Sequence, residues 1–127
     1  MELKELIIQQ TEEMMDSMIE IRHHLHQNPE LSFQEEKTSA FIREKLDAWD
    51  IEYRYPYAQH GILGIIRGQD GGKTIALRSD MDALPIFENN EVEYASVHNG
   101  VMHACGHDVH TASLLGAIRI LKELKEP

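Results

Sequence analysis

Two apolar runs, GILGIIRG and KTIALRSD, stand on either side of QDGG near the middle of the chain. Little else restricts the fold as much. Short apolar runs on either side of a turn signal read as strands. Gly71-Gly72 supplies the positive dihedrals of a tight turn, so the two runs are predicted to form a β-hairpin. IEYRYPY, just upstream, reads as another short strand reaching Pro56. The second run ends at Ser79-Asp80, and MDALP leaves it as a loop.

Helices flank these runs. Leu3, Ile7, Met14, Met18, Ile21 and Leu25 fall on one helical face, which predicts a helix over residues 2–26. Asn28-Pro29 ends it, because the residue before proline is disfavoured in the helical region. A second helix is predicted over 34–48, with Phe41, Ile42 and Leu46 facing inward. Residues 88–102 are polar and irregular. Leu114, Leu115, Ile118, Leu121 and Leu124 mark a third helix, with Asp108 as its expected N-cap. The resulting order predicts an α/β fold with helices packed on a mixed β-sheet. The chain stops at Lys125-Glu126-Pro127, just after a helix, and nothing in it closes the sheet. An incomplete domain is therefore expected.

With 42% hydrophobic and 27% charged residues, the 127-residue chain can bury a core and is not disordered. A formal net charge of −10 argues against binding nucleic acid, which needs a basic face, and suits metal cations and small substrates. No stretch of about 20 apolar residues is present, and charges interrupt the N-terminus, so neither a membrane span nor a signal peptide is expected and the predicted location is cytoplasmic. One cysteine excludes an intrachain disulfide, which leaves Cys105 as a buried apolar residue, a reactive thiol or a metal ligand.

HACGHDVHTA holds that cysteine with His103, His107, Asp108 and His110. In extended or loop backbone, residues two apart point to the same side, so Cys105 and His107 can meet one cation across Gly106. Thiolate sulfur and imidazole nitrogen are both good ligands for zinc and its neighbours. The positive end of the following helix favours the thiolate. In RSDMDALP, Asp80 and Asp82 fall at the end of a predicted strand, where ligands bind in α/β sheets, and they could orient a ligating histidine or bind a metal directly. An ordinary solvated turn is the competing reading there, and Ala83 and Pro85 read as structural. In RHHLHQNPELSFQEEKTS, His23, His24 and His26 read as capping or surface residues at a helix end. Glu35 and Glu36 read as exposed acids at a helix start, and His98 as a surface residue.

Together, RHHLHQNPELSFQEEKTS, LRSDMDALPI and MHACGHDVHTA resemble the N-terminal signature of the aminoacylase, hippurate hydrolase and auxin-conjugate hydrolase branch of the dinuclear metallopeptidases. The resemblance runs from about Ile21 to the end of the third helix. It implies the incomplete N-terminal portion, residues 1–127, of a zinc-peptidase-like catalytic domain. The implied activity is metal-dependent hydrolysis of N-acyl amino acids to a carboxylic acid and a free amino acid. Two divalent ions per intact site are implied, as Zn, Mn, Co or Ni. Cys105 matches a ligand that contacts both metals, His107 a second ligand, and Asp82 an acid behind the metal site. The wider superfamily has His-x-Asp at the strand end, and this chain has Asp80 in place of that histidine, so Asp80 inherits no ligand role. The family's Glu-Glu pair, with its general base, and two further histidine ligands lie beyond the matched region. So does an inserted dimerisation domain, from which a homo-oligomer is expected.

A relative of full length would be roughly three times longer, against the ~100–200 residues typical of one domain. The 127 residues alone are expected to be inactive. An N-acetyldiaminopimelate deacetylase is the alternative within the class. A noncatalytic metal-binding domain and a structural domain with a buried cysteine are the alternatives outside it.

Overall fold

The computed structural model describes residues 1–125. Glu126 and Pro127, expected just after the third helix, lie outside the described residues. The elements are α1 (Leu3–Gln27), α2 (Glu36–Ala48), β1 (Glu52–Tyr57), β2 (Gly61–Ile65) and α3 (His107–Lys125). The fold is α/β, with three helices against a small antiparallel sheet.

Helix α1 ends as its sequence requires. The Asn28 side chain and backbone N–H both donate to the His24 carbonyl, at 2.9 and 3.1 Å, and Pro29 follows. Its apolar stripe meets α3. Ile21 and Leu25 of α1, Ile42 and Leu46 of α2, Ile51, and Ala112 and Leu115 of α3 form one buried cluster. Phe41 packs on its edge. Glu35, expected to be exposed, is buried beside the start of α2, while Glu36 is exposed.

The hairpin is not where the glycines predict it. β1 pairs antiparallel with β2, and Tyr57 opposes Gly61. The turn between them places Ala58 (φ 47°) and Gln59 (φ 76°) in the left-handed region. Such a pair of residues matches the twist of a tight hairpin without any glycine. The register slips between Arg54 and Tyr57, where Pro56 has no N–H to give. Gly71 does turn, with φ 82°, but residues 73–80 belong to no strand or ladder of the described residues. Ile75 and Leu77 are accordingly 83% and 61% exposed. A ladder forms only where a partner edge is presented, and β2 presents its edge to β1.

Gly61 is confined by the hairpin. A Cβ there would stand 2.6 Å from the Tyr57 carbonyl oxygen. Gly61→Ala is expected to destabilise the fold by about 1–3 kcal/mol through overpacking. The measurement is the denaturant midpoint at constant slope. An unchanged midpoint would mean that the turn yields freely.

Three loops converge beside α3. Ala83 bridges Leu31 in parallel sense, and its N–H donates to the Glu30 carbonyl at 2.8 Å. Leu84 and Met102 exchange backbone hydrogen bonds of 2.9 and 3.0 Å. The segment 80–83 is thereby held between the loop after α1 and the loop that enters α3. This places Asp80 and Asp82 among loops rather than beyond a paired strand. No described helix is long and apolar enough to cross a membrane.

Candidate metal centre

His107 is the first residue of α3. Gly106 precedes it with φ 100°, a conformation that favours glycine, and so the chain turns sharply between Cys105 and His107. The ring is held by Asp82. Nδ1 faces the Asp82 carbonyl at 3.0 Å and the carboxylate Oδ1 at 2.9 Å. Both oxygens only accept, so Nδ1 carries the proton and donates. Nε2 then keeps its lone pair, and the nearest carboxylate oxygen to it, Oδ2 of Asp80, is 4.0 Å away. This is the second-nitrogen arrangement that orients histidine ligands in metal sites. Cys105, two residues before, is an exposed free thiol.

The other oxygen of Asp82 accepts the Ser32 hydroxyl at 2.6 Å. The Asp82 carboxyl lies below its usual range. The Ser32 bond is the largest cause, partial burial works against it, and the His107 bond adds to it. Asp80 takes another part. Its carboxylate receives Arg78 at 2.6 Å, and its carbonyl accepts the Thr111 hydroxyl at 3.1 Å. A groove of about 520 Å³ opens beside Asp80 and Asp82, walled by Phe33, Tyr57, Met81 and Ile118.

A second cluster lies under the loop. Asp108 is not the expected N-cap. It sits within the first turn of α3, 1% exposed, and its Oδ2 receives Arg22 Nε at 2.9 Å and His26 Nδ1 at 2.8 Å. His26, expected at a cap or on the surface, is buried, and its Nε2 lies 2.9 Å from Glu88 Oε2. Burial alone would raise the Glu88 carboxyl. The bonds from His26, the Ser96 N–H and Asn90 outweigh it and bring the pKa down to about 2. Burial likewise opposes ionisation of Asp108, and His26 and Arg22, with the Val109 N–H, hold its carboxyl low. His23 stacks on Tyr94 and His24 on Phe41, at 3.8 and 3.9 Å between ring centroids. His98 is exposed, as expected.

His103 is buried, and neither ring nitrogen finds a hydrogen-bond partner among the described residues. Burial lowers its pKa, against the pull of Asp108. His110 is exposed, with its ring 6.0 Å from that of His107. Among the described residues, no three His, Cys, Asp or Glu side chains gather as a cation site. Ser32, Arg22, His26 and Glu88 are the residues that sequence reasoning missed. A signal existed for two of them, since Arg22 and His26 are four apart on α1 and flank the buried Ile21 and Leu25.

The fold and these motifs have relatives. A model of "Peptidase family M20/M25/M40" matches residues 76–127. The N-acyl-L-amino acid amidohydrolase of Geobacillus stearothermophilus is 47% identical over 97% of this chain and 33% of its own length. The N-acetyl-L-cysteine deacetylase of Bacillus subtilis is 53% identical over 84% of this chain and 26% of its own length. The crystal structure of Bacillus subtilis YXEP, a dinuclear metal-binding peptidase of the M20 family, superposes with a TM-score of 0.84. It is 43% identical and covers 87% of this chain and 31% of its own. The chain thus spans about a third of the length of the curated relatives it matches. In sequence and in fold, it resembles members of peptidase family M20/M25/M40, and the family model itself matches its residues 76–127.

Proposed function

We propose that the chain is part of a divalent-metal-dependent amidohydrolase that cleaves N-acyl amino acids into a carboxylic acid and a free amino acid. Cys105 and His107 are its ligands in this region, and Asp82 orients His107. The observation that carries this reading is the His107 ring. Its Nδ1 proton is committed to Asp82, which leaves its Nε2 lone pair for a cation, and the exposed thiol of Cys105 stands two residues earlier in the chain. A thiolate with an imidazole suits zinc, cobalt or nickel, and manganese where it is abundant. A divalent cation held there supplies Lewis acidity toward water and toward an amide carbonyl.

Two ions per site agree with the dinuclear relative. The remaining ligands and the general base come from outside these residues, since Asp82 is bound to His107 and Ser32, and Asp80 to Arg78. The substrate class follows the amidohydrolase and deacetylase relatives. The whole protein is proposed to be a cytoplasmic homo-oligomer acting on a small molecule.

The test is metal analysis of the full-length protein, with assays on N-acetyl and N-benzoyl amino acids and N-acetyldiaminopimelate. Asp82→Asn is expected to lower metal affinity or turnover by about 10–100-fold, the range for partners of metal ligands. Equal affinity and equal turnover in this variant would remove Asp82 from the centre.

A further inference from the structure

We infer that Ser32 is a positioning residue for this centre: its hydroxyl holds the Asp82 carboxylate in the orientation that fixes the His107 ring. The inference rests on the reading of His107 as a ligand.

The two oxygens of Asp82 go to two partners. Oδ1 accepts His107 Nδ1 at 2.9 Å, and Oδ2 accepts Ser32 Oγ at 2.6 Å. The terminal torsion of an aspartate is broad, so a single hydrogen bond leaves the carboxylate room to rotate. A second bond on the opposite oxygen removes that freedom. The imidazole, whose Nδ1 also faces the Asp82 carbonyl at 3.0 Å, then meets the carboxylate at one angle, and Nε2 points in one direction.

The backbone that delivers Ser32 is built for this placement. The Gln34 N–H donates to the Leu31 carbonyl at 2.9 Å and closes a four-residue turn with Ser32 and Phe33 at its centre. Phe33 takes φ 63°, where a turn ordinarily uses glycine or asparagine. Its ring is 62% exposed, so burial does not offset that strain. Strained backbone of this kind persists where its surroundings over-determine it, and it concentrates at functional sites. The turn is over-determined from both sides. Leu31 bridges Ala83, the residue after Asp82. The Glu30 carboxylate accepts the Thr38 N–H and hydroxyl, at 2.5 and 2.6 Å, and the Lys37 N–H at 3.2 Å, which ties the turn to the start of α2. Ser32 is itself exposed, so loss of its hydroxyl leaves the core intact.

The experiment uses the full-length protein. Cobalt(II) titration follows the thiolate-to-cobalt absorption, with Cys105→Ala as its control. Nitrogen-15 shifts of His107 in the metal-free protein at one fixed pH report the tautomer. Ser32→Ala is expected to weaken cobalt binding about 3–10-fold, below the 10–100-fold loss for a partner that touches a ligand directly. It should also mix the Nε2–H tautomer into the Nδ1–H form, at an unchanged melting temperature. Ser32→Thr keeps the hydroxyl and should restore both readouts. Wild-type affinity and tautomer in Ser32→Ala, with Asp82→Asn still impaired, would overturn the role of Ser32 and leave the amidohydrolase reading standing. Equal losses in the Ala and Thr variants would also overturn it. Cobalt absorption indifferent to Cys105 would bring down the reading of the centre, and the role of Ser32 with it.

Discussion

Cys105→Ala in the full-length protein is expected to lower both bound metal and turnover by more than about 100-fold, beyond the range for residues that only support a ligand. A thiolate contributes charge as well as a donor atom, and alanine replaces neither. Cys105→Ser separates the two effects, since it retains a donor but not the soft sulfur. The thiol is exposed and makes no contribution to the buried core, so the melting temperature without metal should not move. Residues 1–127 produced alone should hydrolyse none of the N-acyl amino acids with added zinc, manganese or cobalt, because a catalytic zinc site needs three protein ligands and an open position. Metal content by mass spectrometry and hydrolysis by amine release are the measurements. Full turnover in Cys105→Ala would exclude the cysteine from the chemistry.

His26→Ala should be strongly damaging to stability. It leaves Asp108, 1% exposed, with Arg22 and the Val109 N–H, and it takes the imidazole from Glu88. Removing one partner of a buried ion pair costs about 3–5 kcal/mol, and the remaining Arg22 contact favours the lower end. The pH dependence has a definite sign. The Glu88 carboxyl is depressed from its ordinary 4.5 to about 2, so its contribution is fully present above 4.5 and is lost as pH falls toward 2. Asp108 is depressed too and adds to the loss in the same direction. Wild type should therefore lose stability over that acid range, and His26→Ala should show a shallower acid loss from a lower plateau. Urea unfolding at stepped pH measures both. Parallel curves for the two proteins would mean that His26 does not hold these carboxylates down.

The parts of this fold that were legible in the sequence are those written in local periodicity. The stripe of Met14, Ile21 and Leu25 and that of Ile42 and Leu46 announce helices because residues three and four apart share a face, and these residues are buried. The Cys105-Gly106-His107 spacing is legible for the same reason, since two-residue chemistry needs no tertiary information. Gly71-Gly72 misplaces the hairpin because glycine is the usual, but not the required, source of positive φ. Ala58 and Gln59 adopt it under the pull of strand pairing. The run at 73–80 has the composition of a strand, but pairing is a property of two segments. His26 reads as a cap or surface residue because a polar residue at a helix end is ordinarily solvated, and Ser32, a polar residue in a turn, carries no signal of its own. Their partners lie 82 and 50 residues away, at Asp108 and Asp82.

Those separations also bear on how the chain reaches this state. Ser32 must find Asp82 across 50 residues, and Asp82 must find His107 across 25. Closing loops of that length costs entropy before any hydrogen bond repays it, whereas the helices assemble from neighbours in sequence. The centre is therefore expected to form after the individual helices, while the docking of α1 on α3, which joins segments farther apart still, carries a loop cost of the same kind. Changes within it are expected to act mainly on the rate at which the native chain opens. Selection can rework the chemistry of this loop cluster without disturbing the steps by which the scaffold is made.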